Sequence, residues 1–139
     1  MCNENKIAIA KKIFPYCEDE TGCFHYPYDY SPIYKSFGEV LLEDHDDNYQ
    51  GDSRIILKNE NRFGFLNFGW GSCSGCDALQ GCNSYEELGV LIESLRLSIA
   101  WFDSLQELKD YIKNEDRNNT SYYNFVPKWP SFVEKALNL

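Results

Sequence analysis

Two segments in the middle of the chain are rich in the β-branched and aromatic residues that are typical of β-strands. Residues 53–58 and 62–70 are separated by the polar turn 59–61, and this arrangement predicts a β-hairpin. A shorter apolar segment at 39–43 predicts a further strand. We expect 62–70 to be a central strand covered on both faces, because both of its sides are largely apolar: Phe63, Phe65 and Asn67 on one, and Gly64, Leu66, Phe68 and Trp70 on the other.

The following part of the chain has the period of an amphipathic helix. Ser84 and Glu87 form a capping box, and the apolar positions after them predict a helix over 85–101. A second apolar stripe predicts another helix over 104–113. We expect an α+β fold, in which a small antiparallel sheet of three or four strands is packed by these two main helices. The remaining predicted elements are helices at 3–14, ended by Pro15, and at 131–137, and an edge strand at 122–126.

A long irregular loop, 15–37, precedes the predicted sheet and is rich in Tyr, Pro and Gly. Loops of this length inside a compact domain usually have a function or a cross-link. We expect one domain over 1–139, since this length allows a single core. Its parts are an N-terminal helix (1–14), an acidic Tyr-rich loop region with a short strand (15–52), and a hairpin with a helical core (53–139).

The net charge of −9 is concentrated near the N-terminus, because residues 13–53 contain ten acidic residues and one basic residue, Lys35. Such a surface repels nucleic acid and attracts basic proteins. One interpretation is a solvated acidic loop that keeps the protein soluble. The other is a face that docks on a basic groove of a partner protein. The candidate partner-binding residues are Glu18, Asp19, Glu20, Glu43, Asp44, Asp46 and Asp47.

The chain contains no stretch near the ~20 apolar residues that a membrane span requires. Its N-terminus has too short an apolar run for a signal peptide. We therefore expect a cytoplasmic protein with no membrane association. In a reducing cytosol, clustered cysteines hold a metal or take part in redox chemistry more often than they form disulfides.

Three of the six cysteines follow the pattern Cys73-x2-Cys76-x5-Cys82. A Cys-x-x-Cys turn brings two thiolates together, as a structural zinc ion requires. Zinc takes four ligands in such sites, so one more must come from elsewhere in the chain. An iron–sulfur cluster is a second use of the same thiols, and the alternative without metal is that the cysteines are small, half-buried residues of a tight turn. The candidates for the fourth zinc ligand are Cys23, Cys17, His25, His45 and Asp77.

The sequence signatures of several enzyme classes are missing, since it contains no P-loop, dinucleotide-binding, His-Glu-x-x-His or Gly-x-Ser-x-Gly motif. A papain-type hydrolase needs a histidine downstream of its cysteine, whereas His25 and His45 both precede Cys73. A thiol-redox function of Cys73 and Cys76 is an alternative, although the βαβ context of such motifs is absent. We expect a protein that is not an enzyme.

The segment 71–80 reads Gly-Ser-Cys-Ser-Gly-Cys-Asp-Ala-Leu-Gln, with Tyr-Gln-Gly-Asp at 49–52 and Ser-Ile-Ala-Trp-Phe-Asp-Ser at 98–104. Over about residues 49–139 the chain resembles a set of small phage and prophage proteins that share this core. Small acidic phage proteins are often inhibitors of host defence. The type II anti-CRISPR proteins, some of which contain metal, are one such class.

Together with the charge, the resemblance implies a zinc-stabilised phage-type inhibitor. It would bind a basic surface of a host nuclease, such as Cas9, through residues 13–53 and block the engagement of nucleic acid. The alternative function is that of a metal-stabilised phage accessory protein with another protein partner.

Overall fold

The computed structural model of the chain describes residues 3–46, 50–71, 77–118 and 128–139. Four strands form one antiparallel sheet in the order β1-β2-β3-β4, which confirms the predicted α+β class. The elements in chain order are α1 (Asn3–Ile13), α2 (Ser31–Lys35), β1 (Glu39–His45), β2 (Gly51–Asn59), β3 (Arg62–Trp70), α3 (Tyr85–Leu97), β4 (Ala100–Phe102), α4 (Leu105–Asn118) and α5 (Lys128–Leu137).

The predicted hairpin forms the centre of the sheet. Strands β2 and β3 pair over their whole length, from Gly51 opposite Trp70 to Asn59 opposite Arg62. The tight turn between them places Glu60 in the left-handed region, at a φ of 56°. A residue with a Cβ is strained there, so this turn forms at some cost to the hairpin.

Strand β1 pairs with the other edge of β2 and contains a bulge between Val40 and Leu42. Beyond the bulge, His45 lies directly opposite Ser53. Because residues opposite each other in an antiparallel pair point to the same face, Glu43, His45 and Ser53 share one side of the sheet.

The predicted helix over 85–101 ends earlier, at Leu97, and residues further on form β4. Strand β4 pairs with the edge of β3 so that Trp101 lies opposite Gly64. A Cβ at Gly64 would lie 2.8 Å from Ile99 Cγ2 and 2.9 Å from the Trp101 ring, so the glycine makes room for both side chains. Pairing and packing against β3 outweigh the helical periodicity here, and the helix prediction for 98–101 is wrong.

Helices cover both faces of the sheet, as predicted for a central β3. On one face, Ile55 and Leu66 belong to a hydrophobic cluster that includes side chains of α1 and α3. On the other face, Ile56 and Phe65 pack with side chains of α4 and α5. The alternation of the strands therefore supplies two separate cores.

The helix termini follow the local signals of the sequence in part. The Ser84 side chain caps α3 by accepting a hydrogen bond from the Glu87 N–H at 3.1 Å, as predicted. Helix α4 continues beyond residue 113, and α5 begins at Lys128 rather than at 131. Its Pro130 lies in the first turn, where a missing N–H is tolerated. The predicted edge strand at 122–126 lies outside the described residues.

The loop 15–37 is anchored by buried side chains. Cys17, Ile33 and Tyr34 belong to the same cluster as α1 and α3, and the Tyr85 hydroxyl accepts the Cys17 N–H at 3.1 Å. The short helix α2, with Pro32 in its first turn, was not predicted. Aromatic packing thus positions this loop beside the ends of β1 and β3.

Candidate functional site

The three cysteines that the structure describes have different surroundings. Cys17 and Cys82 are buried, whereas Cys23 is exposed. Burial, together with the negative charges of Glu87 and Asp77 and the nearby Cys17, raises the pKa of Cys82 to about 11. Within the described ranges, no three His, Cys, Asp or Glu side chains are grouped so that they could hold a metal. Cys73 and Cys76 lie outside those ranges, so the zinc site stays a prediction.

The candidates for a fourth zinc ligand are distinguished by their hydrogen bonds. His25 is exposed and bonds through Nε2 to Asp19 at 2.9 Å, in a surface turn that also contains Cys23. His45 bonds to Ser53 and Glu43. Cys17 and Asp77 are the candidates that are buried near Cys82, since both contribute to the rise of its pKa. Of these two, Cys17 is the one that supplies a thiol.

Asp77 is a buried carboxylate that accepts hydrogen bonds from both sides of its position in the chain and from the N-terminal loop. Its Oδ2 accepts the Gly71 N–H at 2.9 Å, and its Oδ1 accepts the N–H groups of Leu79 and Gln80 at 2.8 and 3.1 Å. The Tyr30 hydroxyl donates to the same oxygen at 2.8 Å. Burial, followed by this hydrogen bond, raises the pKa of Tyr30 well above its usual range. Asp77 thus joins the two sides of segment 72–76 to the loop before α2.

Sequence reasoning considered Asp77 only as a metal ligand and missed this structural role. An aspartate whose carboxylate accepts backbone N–H groups two and three residues later is a common turn pattern, so part of the role was visible in the sequence. The contact with Tyr30 joins residues far apart in the chain, and no local pattern announces it.

A series of hydrogen-bonded polar side chains crosses the sheet where β1 and β3 end and β2 begins. His45 Nδ1 lies 2.6 Å from Ser53 Oγ, and Trp70 Nε1 donates to that oxygen at 2.9 Å. His45 Nε2 lies 3.2 Å from Glu43, which also accepts a hydrogen bond from the Tyr34 hydroxyl. The Ser53 hydroxyl thus links the Trp70 indole to His45, and His45 links Ser53 to Glu43.

This order of serine, histidine and carboxylate resembles a hydrolase relay, but its surroundings differ from those of a nucleophile. Ser53 is only 3% exposed, and its oxygen already accepts the Trp70 N–H. A reactive hydroxyl must be open to a substrate carbonyl within a few ångströms. We therefore interpret this series of hydrogen-bonded side chains as structural, because it fixes the rings of His45 and Trp70.

These rings form part of the wall of a cavity of about 260 Å³ between the loop and the sheet. Its aromatic walls include Tyr28, Tyr34, Phe68 and Trp70. No lysine or arginine from the described part of the chain lines it. Its polar lining includes Asp29, His45, Ser53, Asp77 and Gln80.

Two of the candidate partner-binding carboxylates are instead used inside the fold. Asp44 is 7% exposed and bonds to Arg54 Nε at 2.8 Å and to Lys135 Nζ at 3.1 Å. Asp46 bonds to the same guanidinium at 2.8 Å and to the Asp52 N–H. The expectation that Asp44 faces a partner is therefore corrected: alternation along β1 turns its side chain towards α5.

The other candidate carboxylates have varied positions. Glu43 belongs to the series of hydrogen-bonded side chains described above, and Asp47 lies outside the described residues. Glu18, Asp19 and Glu20 are exposed on the loop. Hydrogen bonds from the Thr21 side chain, then from His25, hold the pKa of Asp19 well below its usual range. Asp19 is therefore ionised at neutral pH, and Glu18, Asp19 and Glu20 are the described candidate partner-binding carboxylates that lie exposed on the loop.

No protein family, curated protein or solved structure matches the chain at a significant level. Across the described residues, none of the helices is both long and apolar enough to cross a membrane.

Proposed function

We propose that this protein is a non-enzymatic inhibitor that docks its N-terminal loop on a basic surface of a partner protein. The observation that carries the proposal is that the N-terminal loop exposes acidic side chains, at 18–20, together with two tyrosine rings, Tyr16 and Tyr28. We call this surface the acidic-aromatic face, and its residues are Tyr16, Glu18, Asp19, Glu20, Tyr28 and Asp29.

The two tyrosines of this face are unusually open. Tyr16 is 64% exposed and Tyr28 is 75% exposed. Each ring is nevertheless held by an edge-on contact with another ring, Tyr16 with Phe14 and Tyr28 with Tyr26, at centroid distances of 6.1 and 5.1 Å. Tyrosine is enriched at the energetic centres of protein interfaces. Rings that are already oriented lose less conformational entropy on binding.

The charge of the face favours a basic partner. Residues 13–53 contain only Lys35 as a basic residue, so the loop itself carries little positive charge beside Glu18, Asp19 and Glu20. Such a surface accelerates encounter with a positive groove and repels free nucleic acid. A groove that normally holds DNA or RNA has the charge that this face requires.

The resemblance to phage proteins makes the proposal more specific. The partner is a host nuclease, with Cas9 as the named candidate, and the inhibitor acts by covering its nucleic-acid groove. The same geometry fits a phage accessory protein with another basic partner, and the binding experiment below distinguishes the two.

The experiment measures inhibition of DNA cleavage by Cas9 and formation of a complex by size-exclusion chromatography. We expect the E18Q/E20Q variant to bind about tenfold more weakly at low salt, because two steering charges are lost. The matched control is E134Q, since Glu134 is an exposed carboxylate on α5. Complex formation that is equal for both variants contradicts the acidic-aromatic face. Absence of any complex with Cas9 removes this partner and leaves the accessory-protein alternative.

We further propose that a structural zinc ion is bound by Cys17, Cys73, Cys76 and Cys82. The support is the common buried surroundings of Cys17 and Cys82 and the preference of zinc for four thiolates. We expect about one zinc per chain by elemental analysis and a lower melting temperature after chelation. C17S should lose the metal, whereas C23S, which changes an exposed thiol, should keep it. Equal zinc content in both variants contradicts this ligand set.

A further inference from the structure

The cavity beneath the loop has aromatic walls and an open aromatic mouth. Tyr34 and Phe68 are buried at its inner side, with ring centroids 6.3 Å apart. Trp70 is held there by the hydrogen bond from its Nε1 to Ser53. Tyr28, 75% exposed, stands at the mouth and belongs to the acidic-aromatic face. The cavity and that face are therefore continuous.

The charged groups around the cavity are negative. Asp29 and Asp77 contribute to its lining, and Glu43 lies behind it, bonded to His45 and Tyr34. Among the described residues, no basic side chain forms an ion pair with Asp29 or Asp77. The carboxylates in the lining therefore disfavour an anionic ligand.

We propose that this cavity binds the guanidinium group of an arginine side chain on the partner protein. The inference rests on the proposed function and deepens it. Aromatic faces attract organic cations, and a planar guanidinium stacks on a ring while its N–H groups donate to carboxylates. The volume of about 260 Å³ lies just below the range for drug-sized ligands, about 300–1,000 Å³. It suits a single side chain.

The test is an NMR titration of the full chain with N-acetyl-arginine methylamide, observing the indole N–H of Trp70. We expect a saturable shift with a millimolar dissociation constant. The neutral citrulline analogue, which has the same shape without the charge, should give no shift. The lysine analogue should bind several-fold more weakly, because an ammonium group does not stack. No shift with the arginine probe, or equal shifts with arginine and either analogue, overturns the proposal.

Two exposed tyrosines provide matched variants. Y28A removes a ring at the mouth of the cavity and should weaken binding of the arginine probe about threefold or more. Y16A removes an exposed ring that does not line the cavity and should leave that binding unchanged. Equal effects of the two variants overturn the proposal. If the arginine probe does not bind while Cas9 binding still depends on Glu18 and Glu20, the cavity proposal is wrong and the proposed function stands. If the probe does not bind and Cas9 binding does not depend on these residues, both proposals are wrong.

Discussion

Two acidic regions of this protein look alike in the sequence and differ in the structure. In the loop, Glu18 and Glu20 are exposed. At the end of β1, Asp44 and Asp46 surround the guanidinium of Arg54, which is 4% exposed. The comparison shows that a run of acidic residues does not define a surface. A strand turns alternate side chains inward, where an acid can be used for folding, whereas an irregular loop leaves its acids available for binding.

The largest difference between the regions should appear when Arg54 is replaced. R54A leaves Asp44 and Asp46 without their shared partner, and breaking a buried ion pair in this way costs about 3–5 kcal/mol. The control K12A removes an exposed charge of α1 and should change the free energy of unfolding by less than about 0.5 kcal/mol. Urea unfolding monitored by circular dichroism measures both. A loss below about 1 kcal/mol for R54A would mean that the network contributes little to stability.

The reactivity of the cysteines extends the comparison, because Cys23 is exposed on the loop whereas Cys82 is buried. After chelation, Cys23 should react quickly with iodoacetamide at pH 8. Cys82 should react at least about 100-fold more slowly, because its pKa of about 11 leaves about one thiol in a thousand ionised at that pH. Raising the pH through 11 should increase its rate. Peptide mapping by mass spectrometry assigns a rate to each cysteine. Similar rates for Cys23 and Cys82 would contradict the burial and raised pKa of Cys82. A faster reaction of Cys73 or Cys76 than of Cys23 would favour the redox alternative.

Replacing Asp77 tests whether its hydrogen bonds to Gly71, residues 79–80 and Tyr30 stabilise the fold. D77N keeps the volume of the side chain but replaces one acceptor oxygen by an N–H₂ group that faces N–H donors. We expect a loss of about 2 kcal/mol in the free energy of unfolding. D110N, at an exposed position on α4, is the control and should be nearly neutral. Thermal and urea melts of the two variants give the answer, and equal stabilities would contradict the stabilising role of Asp77.

The smallest expected effect is at the hairpin turn. Glu60 has a φ of 56°, so E60G should relieve strain and stabilise the protein by up to about 1 kcal/mol. The substitution N61G, at the neighbouring position, controls for added flexibility and should not stabilise. Denaturant unfolding is sensitive enough to separate the two; a destabilised E60G variant would show that flexibility of the unfolded chain outweighs the strain.

The parts of the fold that local signals determine were predictable from the sequence. The β2–β3 hairpin follows from two segments of strand-forming residues around a polar turn, and the start of α3 follows from Ser84 and Glu87. Strand β4 was missed because its apolar residues fit a helix equally well. Only the edge of β3 and the space at Gly64 decide between the two structures.

The candidate site was predictable only in its composition. The sequence indicated acidic and aromatic loop residues, but Arg54 lies one position beyond the acidic stretch, so its neutralising role was not visible. The pairing of His45 with Ser53 and that of Tyr30 with Asp77 depend on strand register and loop packing. Contacts between distant segments of this kind leave no local periodic pattern.

The most direct test of the account is the affinity of the E18Q/E20Q variant for Cas9, measured beside its stability. The free energy of unfolding of this variant should be unchanged, within about 0.5 kcal/mol. Its dissociation constant should be about tenfold higher, with a weaker dependence on salt, than that of the unmodified chain. An affinity that is unchanged, or lowered only because the variant is less stable, would contradict the claim that the loop acids serve binding.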